Sequence, residues 1–75
     1  MKRFNNIAEL DTNINNLYCY IPPFNHKTKH PITSSNQIET KSGVIVFDYS
    51  NDKLCGIEIV EADRHIDLAG LGINE

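Results

Sequence analysis

The chain has 75 residues, 23% of them charged and 40% hydrophobic, with a net charge of −3 at pH 7. A lone core in so small a domain supplies at most roughly 3–5 kcal/mol, and oligomerisation is a common supplement. The charges are mild and interspersed, with no basic stripe carrying aromatics, so nucleic-acid binding is not expected. No apolar run nears the roughly 20 residues of a membrane span, and none follows Lys2-Arg3 as a secretory signal would, which makes the expected location cytoplasmic.

The pattern reads as one small domain, 1–75. Residues 4–10 alternate loosely and fit either a strand or one helical turn. Asp11-Thr12-Asn13-Ile14-Asn15-Asn16 is turn chemistry, because Asx and Thr side chains bond their own backbone. Residues 17–21 form a strand with Leu17, Cys19 and Ile21 on one face and Tyr18 and Tyr20 on the other. Pro22-Pro23 stops it, and a polar, basic loop over 24–30 follows, closed by Pro31. Residues 32–38 make a polar strand that suits a sheet edge.

Two apolar runs, 43–49 and 54–60, form a hairpin about Asn51-Asp52, a pair compatible with a type I′ turn. In that register Tyr49 faces Leu54, Asp48 faces Cys55 and Phe47 faces Gly56, with the ring lying over bare backbone. One face then carries Val44, Val46, Cys55, Ile57 and Ile59. The other carries Ile45, Phe47, Tyr49, Leu54 and Val60, with Glu58 among them. Both faces are apolar, so one should pack on the chain's own core and the other on a tail, a second subunit or a partner. After Val60 the period changes. Asp63 can cap a short helix through Ala69 that buries Ile66, Ala69 and Leu71, with Gly70 and Gly72 as stops. The expected fold is α+β: a small antiparallel β-meander of about four to five strands with a short C-terminal helix.

Two runs also carry a family likeness. Leu10-Asp11-Thr12-Asn13-Ile14-Asn15-Asn16-Leu17-Tyr18 resembles the opening hairpin of the small YuzE-type bacterial proteins. The run from Gly43-Val44-Ile45-Val46 to Leu54-Cys55-Gly56-Ile57-Glu58-Ile59 resembles their Gly-Ile-Glu-Ile motif. The likeness spans roughly 4–68. It implies a small antiparallel sheet with a C-terminal helical segment and brings no enzymatic activity; some members resemble the smaller partner of toxin–antitoxin-like gene pairs. This chain departs from the pattern with Asp52 where the family has Gly, and with a longer, more basic loop over 24–30.

His26 and His30 have the spacing of two ligands on a helical turn, but they lie between prolines without a third ligand, so a solvated basic loop is expected rather than a metal site. Asp48, Asp52 and Glu58, with Asp11, offer oxygens for Ca²⁺ but lack the glycine of a sharp metal loop; turn formation explains them. Cys19 and Cys55 read as small buried hydrophobes kept reduced. No nucleophilic triad, phosphate loop or acid–base pair assembles, so no catalytic residue, cofactor or metal is assigned. The expectation is a homodimeric, non-catalytic protein-interaction module, antitoxin-like or inhibitor-like, that occludes a protein partner. Its partner-binding residues would be Tyr18, Tyr20, Phe24, His26, Lys27, Lys29 and His30, or the edge of 32–38. The alternative is a ligand or metal pocket at a dimer seam, with Phe47 and Glu58.

Overall fold

A computed structural model describes residues 1–5, 7–25, 27 and 31–71. Among these residues six strands form one antiparallel sheet: β1 (Lys2–Phe4), β2 (Ala8–Asp11), β3 (Asn16–Tyr20), β4 (Ser34–Thr40), β5 (Gly43–Ser50) and β6 (Lys53–Ile59). Their order across the sheet is β1-β2-β3-β6-β5-β4. The segment 4–10 resolves into two strand ends joined by a turn in which Asn5 takes a left-handed φ of 50°. That split accounts for more strands than the sequence pattern predicts.

The tip of the β5–β6 hairpin is as expected. Asn51 and Asp52 have φ of 50° and 67°, the two positive values a type I′ turn requires, and Asp52 achieves this without glycine. Ser50 faces Lys53 and Tyr49 faces Leu54. Beyond that the register differs by one: Asp48 faces Gly56, Phe47 faces Ile57, Val46 faces Glu58 and Ile45 faces Ile59. Cys55 is the extra residue of a β-bulge, fully buried, with its thiol donating to the Asp48 carbonyl at 3.3 Å. Because strand side chains alternate, one inserted residue reassigns the faces. Val44 and Val46 leave the company of Ile57 and Ile59, and Glu58 leaves the company of Phe47.

Residues directly opposite each other share a face. One face carries the row Leu10–Leu17–Ile59–Ile45–Ile38 and the row Phe4–Ala8–Cys19–Ile57–Phe47–Asn36. The chain after β6 docks on part of it. Leu10, Leu17 and Ala62 form the buried core, flanked by Phe4, Ala8, Cys19, Ile59, Ile66 and Leu68. Fully burying a leucine is worth about 1.5–3 kcal/mol, so Leu10 and Leu17 anchor the sheet. The core cluster ends at Ile59; Ile45, Phe47 and Ile57 are half-buried beyond it, and Ile38 is 48% exposed.

The expected C-terminal helix is replaced by two three-residue 3-10 turns, Ala62–Arg64 and Ala69–Leu71, so the fold is mostly β. The segment is shorter than the roughly 12–15 residues that an unsupported helix needs. Asp67 lies close to Gly70, where a Cβ would come 2.8 Å from its carboxylate. Docking to the sheet also fixes the segment. The Ala62 N–H donates to the Asn15 carbonyl at 2.6 Å, and the Glu61 N–H donates to Asn16 Oδ1 at 2.9 Å. Ile66 is half-buried against the core as predicted, while Ala69 is exposed and Leu68 takes its place. The His65 ring fits over Gly43, whose φ of 132° and missing Cβ leave the space.

Candidate functional site

The opposite face carries Arg3, Glu9, Tyr18, Glu58, Val46 and Gln37 in one row, and Tyr20, Gly56, Asp48 and Ser35 in the next. Alternation on β3 puts both tyrosines here, and their hydroxyls run in opposite directions. Tyr20 donates to Glu9 Oε1 at 2.7 Å, and Arg3 Nε lies 3.8 Å from the same oxygen. Tyr18 lies over Gly56 and donates to Asp48 Oδ2 at 2.9 Å. Ser35 on β4 donates to the other oxygen, Oδ1, at 2.5 Å. The rings meet edge to face, centroids 4.9 Å apart and planes at 65°. Glu58 accepts from Asn16 Nδ2 at 2.9 Å, so its charge is held at a polar, half-buried position rather than in an apolar layer.

Asp48 is only 6% exposed, and two hydroxyls satisfy its carboxylate. Burial, then the hydrogen bond to Asp48, holds the Tyr18 hydroxyl far above the ordinary tyrosine range. Tyr20 is pushed up to about 12 by burial and by its bond to Glu9, against a small opposing effect of Arg3. Burial raises the Cys19 thiol; burial and the Asp48 charge raise the Cys55 thiol. Thiols in such surroundings stay protonated and are poor nucleophiles. The polar face is thus a set of mutually satisfied pairs, with tyrosine hydroxyls committed to carboxylates inside the sheet.

The sequence-predicted residues are distributed as follows. Tyr18 and Tyr20 stand together, half-buried, on the polar face. Phe24 is half-buried, its N–H donating to the Ile21 carbonyl at 2.9 Å, and Lys27 is exposed with its N–H on Asn25 Oδ1 at 2.8 Å. His26, Lys29 and His30 lie outside the described residues. Phe47 and Glu58, expected to share a face, are on opposite faces, so a single pocket cannot be lined by both. Asp11 accepts from the Asn13 N–H within its own turn at 3.0 Å, and Asp52 is exposed at the hairpin tip, so the four carboxylates do not converge. Among the described residues no group of three or more His, Cys, Asp or Glu is placed to hold a metal ion. Sequence reasoning missed the Asp48–Tyr18–Ser35 cluster, which spans β5, β3 and β4; its one legible signal is Asp48, an acid inside an otherwise apolar strand.

The other notable feature is β4. All seven of its residues are exposed, and among the described residues it pairs with β5 alone. Of the devices that usually blunt an edge it carries one charge, Glu39, but no Pro, no Lys and no register shift; Pro31 and Lys41 fall just outside it. The opposite edge, β1, has three residues and carries Lys2 and Arg3. No helix among the described residues is long and apolar enough to cross a membrane. Comparisons with protein-family models, with curated proteins and with solved structures give no match, so the likeness to the YuzE-type proteins rests on the two hairpin motifs alone.

Proposed function

We propose that the chain is a non-catalytic protein-interaction module, antitoxin-like or inhibitor-like, that occludes a partner protein by taking an extended segment of it along β4. The observation that carries this reading is the fully exposed, seven-residue edge strand. Such an edge offers unpaired N–H and C=O groups as a rail for an added strand, and side chains alternating along it supply selectivity. The tyrosines of the polar face support the rail from within: Tyr18 and Ser35 converge on Asp48 and tie β4 to the middle of the sheet. On this reading the partner runs along the polar edge strand, one of the two surfaces the sequence offers beside the 24–30 loop.

The test is capture from native lysate with the tagged protein, comparing wild type with Ile38→Lys. Ile38 is 48% exposed, so the variant should fold, with an unchanged circular dichroism spectrum. The expected result is one stoichiometric protein partner retained by the wild type and lost by the variant. No partner, or a partner held equally by both, would overturn the assignment.

A further inference from the structure

We infer that in the absence of a partner the β4 edge is occupied by a second copy of the chain, the two edges pairing antiparallel about a two-fold axis at Ile38. This rests on the reading of β4 as a docking rail and adds a regulation to it: self-pairing and partner capture compete for one strand. The first ground is the isoleucine row. Ile59, Ile45 and Ile38 stand opposite one another across β6, β5 and β4, and the row ends at an isoleucine with half its surface in water. An isologous pairing at Ile38 continues that row from one sheet to the other without a break.

The second ground is the self-complementarity of β4. A two-fold at Ile38 sets Gln37 opposite the second copy's Glu39, Asn36 opposite Thr40 and Ser35 opposite Lys41, each twice by symmetry. No like charges stand directly opposite, the two Glu39 side chains being diagonal, and the Gln37 amide faces a carboxylate. A two-fold at Glu39 would instead set carboxylate against carboxylate, which destabilises a cross-strand pair. A two-fold at Gln37 would set Ile38 against Asn36, interrupting the apolar row. Faces are preserved only in registers of this parity, because strand side chains alternate.

The test is sedimentation of the untagged full chain across a dilution series, together with directed cross-linking. Wild type should sediment as a reversible dimer, and Ile38→Lys should weaken the dimer at least about tenfold by setting two ammonium groups face to face. Ile38→Cys should form a disulfide dimer under mild oxidation faster than Ser34→Cys, which fixes the register even if the lysine variant folds poorly. A wild type that is monomeric throughout, or a dimer that Ile38→Lys leaves intact, overturns the inference. The two readings separate cleanly. A monomer that still captures its partner through β4 removes only the self-pairing. A dimer dissolved by Ile38→Lys with partner capture unchanged removes the proposed edge function and leaves the self-pairing.

Discussion

The Tyr18 hydroxyl reaches over Gly56 to Asp48 Oδ2 at 2.9 Å, so a side chain on β3 satisfies a buried carboxylate on β5 across the whole width of β6. The bare backbone of Gly56 makes this reach possible. A Cβ there would lie 2.0 Å from the Tyr18 hydroxyl oxygen and 2.4 Å from Cζ.

Gly56→Ala should therefore displace the ring and cost about 1–3 kcal/mol of stability, through overpacking and a lost bond to a buried charge. Urea denaturation measures it. In a Tyr18→Ala background the same substitution should cost much less; an equal cost in both backgrounds contradicts the account.

Tyr18→Phe keeps the ring over Gly56 and removes only the donor. Asp48 then retains Ser35 alone, and the loss should be about 1–3 kcal/mol. A double-mutant cycle with Asp48→Ala should return a coupling of about 0.5–3 kcal/mol; additivity would show that the bond contributes nothing.

Alkaline stability follows from the same tyrosines. A group whose folded pKa lies above its unfolded one holds its proton more tightly when folded, so its contribution is full below the unfolded value and is lost as pH rises through the folded value. Tyr20 is raised from 10.0 to about 12, and Tyr18 further. The urea midpoint should decline as pH climbs from about 10 through about 12, in step with tyrosinate absorbance. A midpoint that holds steady across that window contradicts the prediction.

Asn16 bridges the sheet and the tail, donating to Glu58 Oε2 and accepting from the Glu61 N–H, both at 2.9 Å. Asn16→Ala should cost about 1–3 kcal/mol and speed amide exchange at Glu61 and Ala62. Unchanged exchange there would mean that Ala62 and its bond to Asn15 suffice to hold the tail.

The thiols should report folding. Cys55 is fully buried and Cys19 half-buried, both with raised pKa. A thiol reagent at neutral pH should label Cys19 slowly, Cys55 more slowly still, and both promptly in urea. Immediate labelling of Cys55 in the native protein would contradict its placement.

Much of the sheet was legible in the sequence, and each departure has a local cause. The Asn51-Asp52 turn, the alternation of Leu17 and Cys19 against Tyr18 and Tyr20, and the polar edge strand could all be read from residue type and period. The faces of β5 and β6 could not, because Cys55 looks like any other strand hydrophobe and nothing local marks a bulge. The ring over Gly56 is Tyr18 from β3 and not the expected Phe47, which faces Ile57 on the other side of the sheet; that pairing depends on tertiary strand order. The same non-local order hid the convergence of Ser35 and Tyr18 on Asp48. The tail is not the expected helix: Asn15 and Asn16 clamp its start against the sheet, which an apolar period does not reveal.

The bulge at Cys55 gives β6 two different sensitivities. Exchanging one side chain there alters volume, which neighbouring groups can partly absorb. Adding one residue after Gly56 alters parity: Ile57 to Ile59 would all turn over, with Glu58 sent towards the leucine core and Ile57 and Ile59 sent towards the tyrosines, whereas removing Cys55 itself would leave Tyr49 opposite Leu54 and Asp48 opposite Gly56. Away from Gly56 the strand should therefore tolerate exchange of side chains and even loss of the bulge residue, while gains of single residues should be confined to turns such as 12–15.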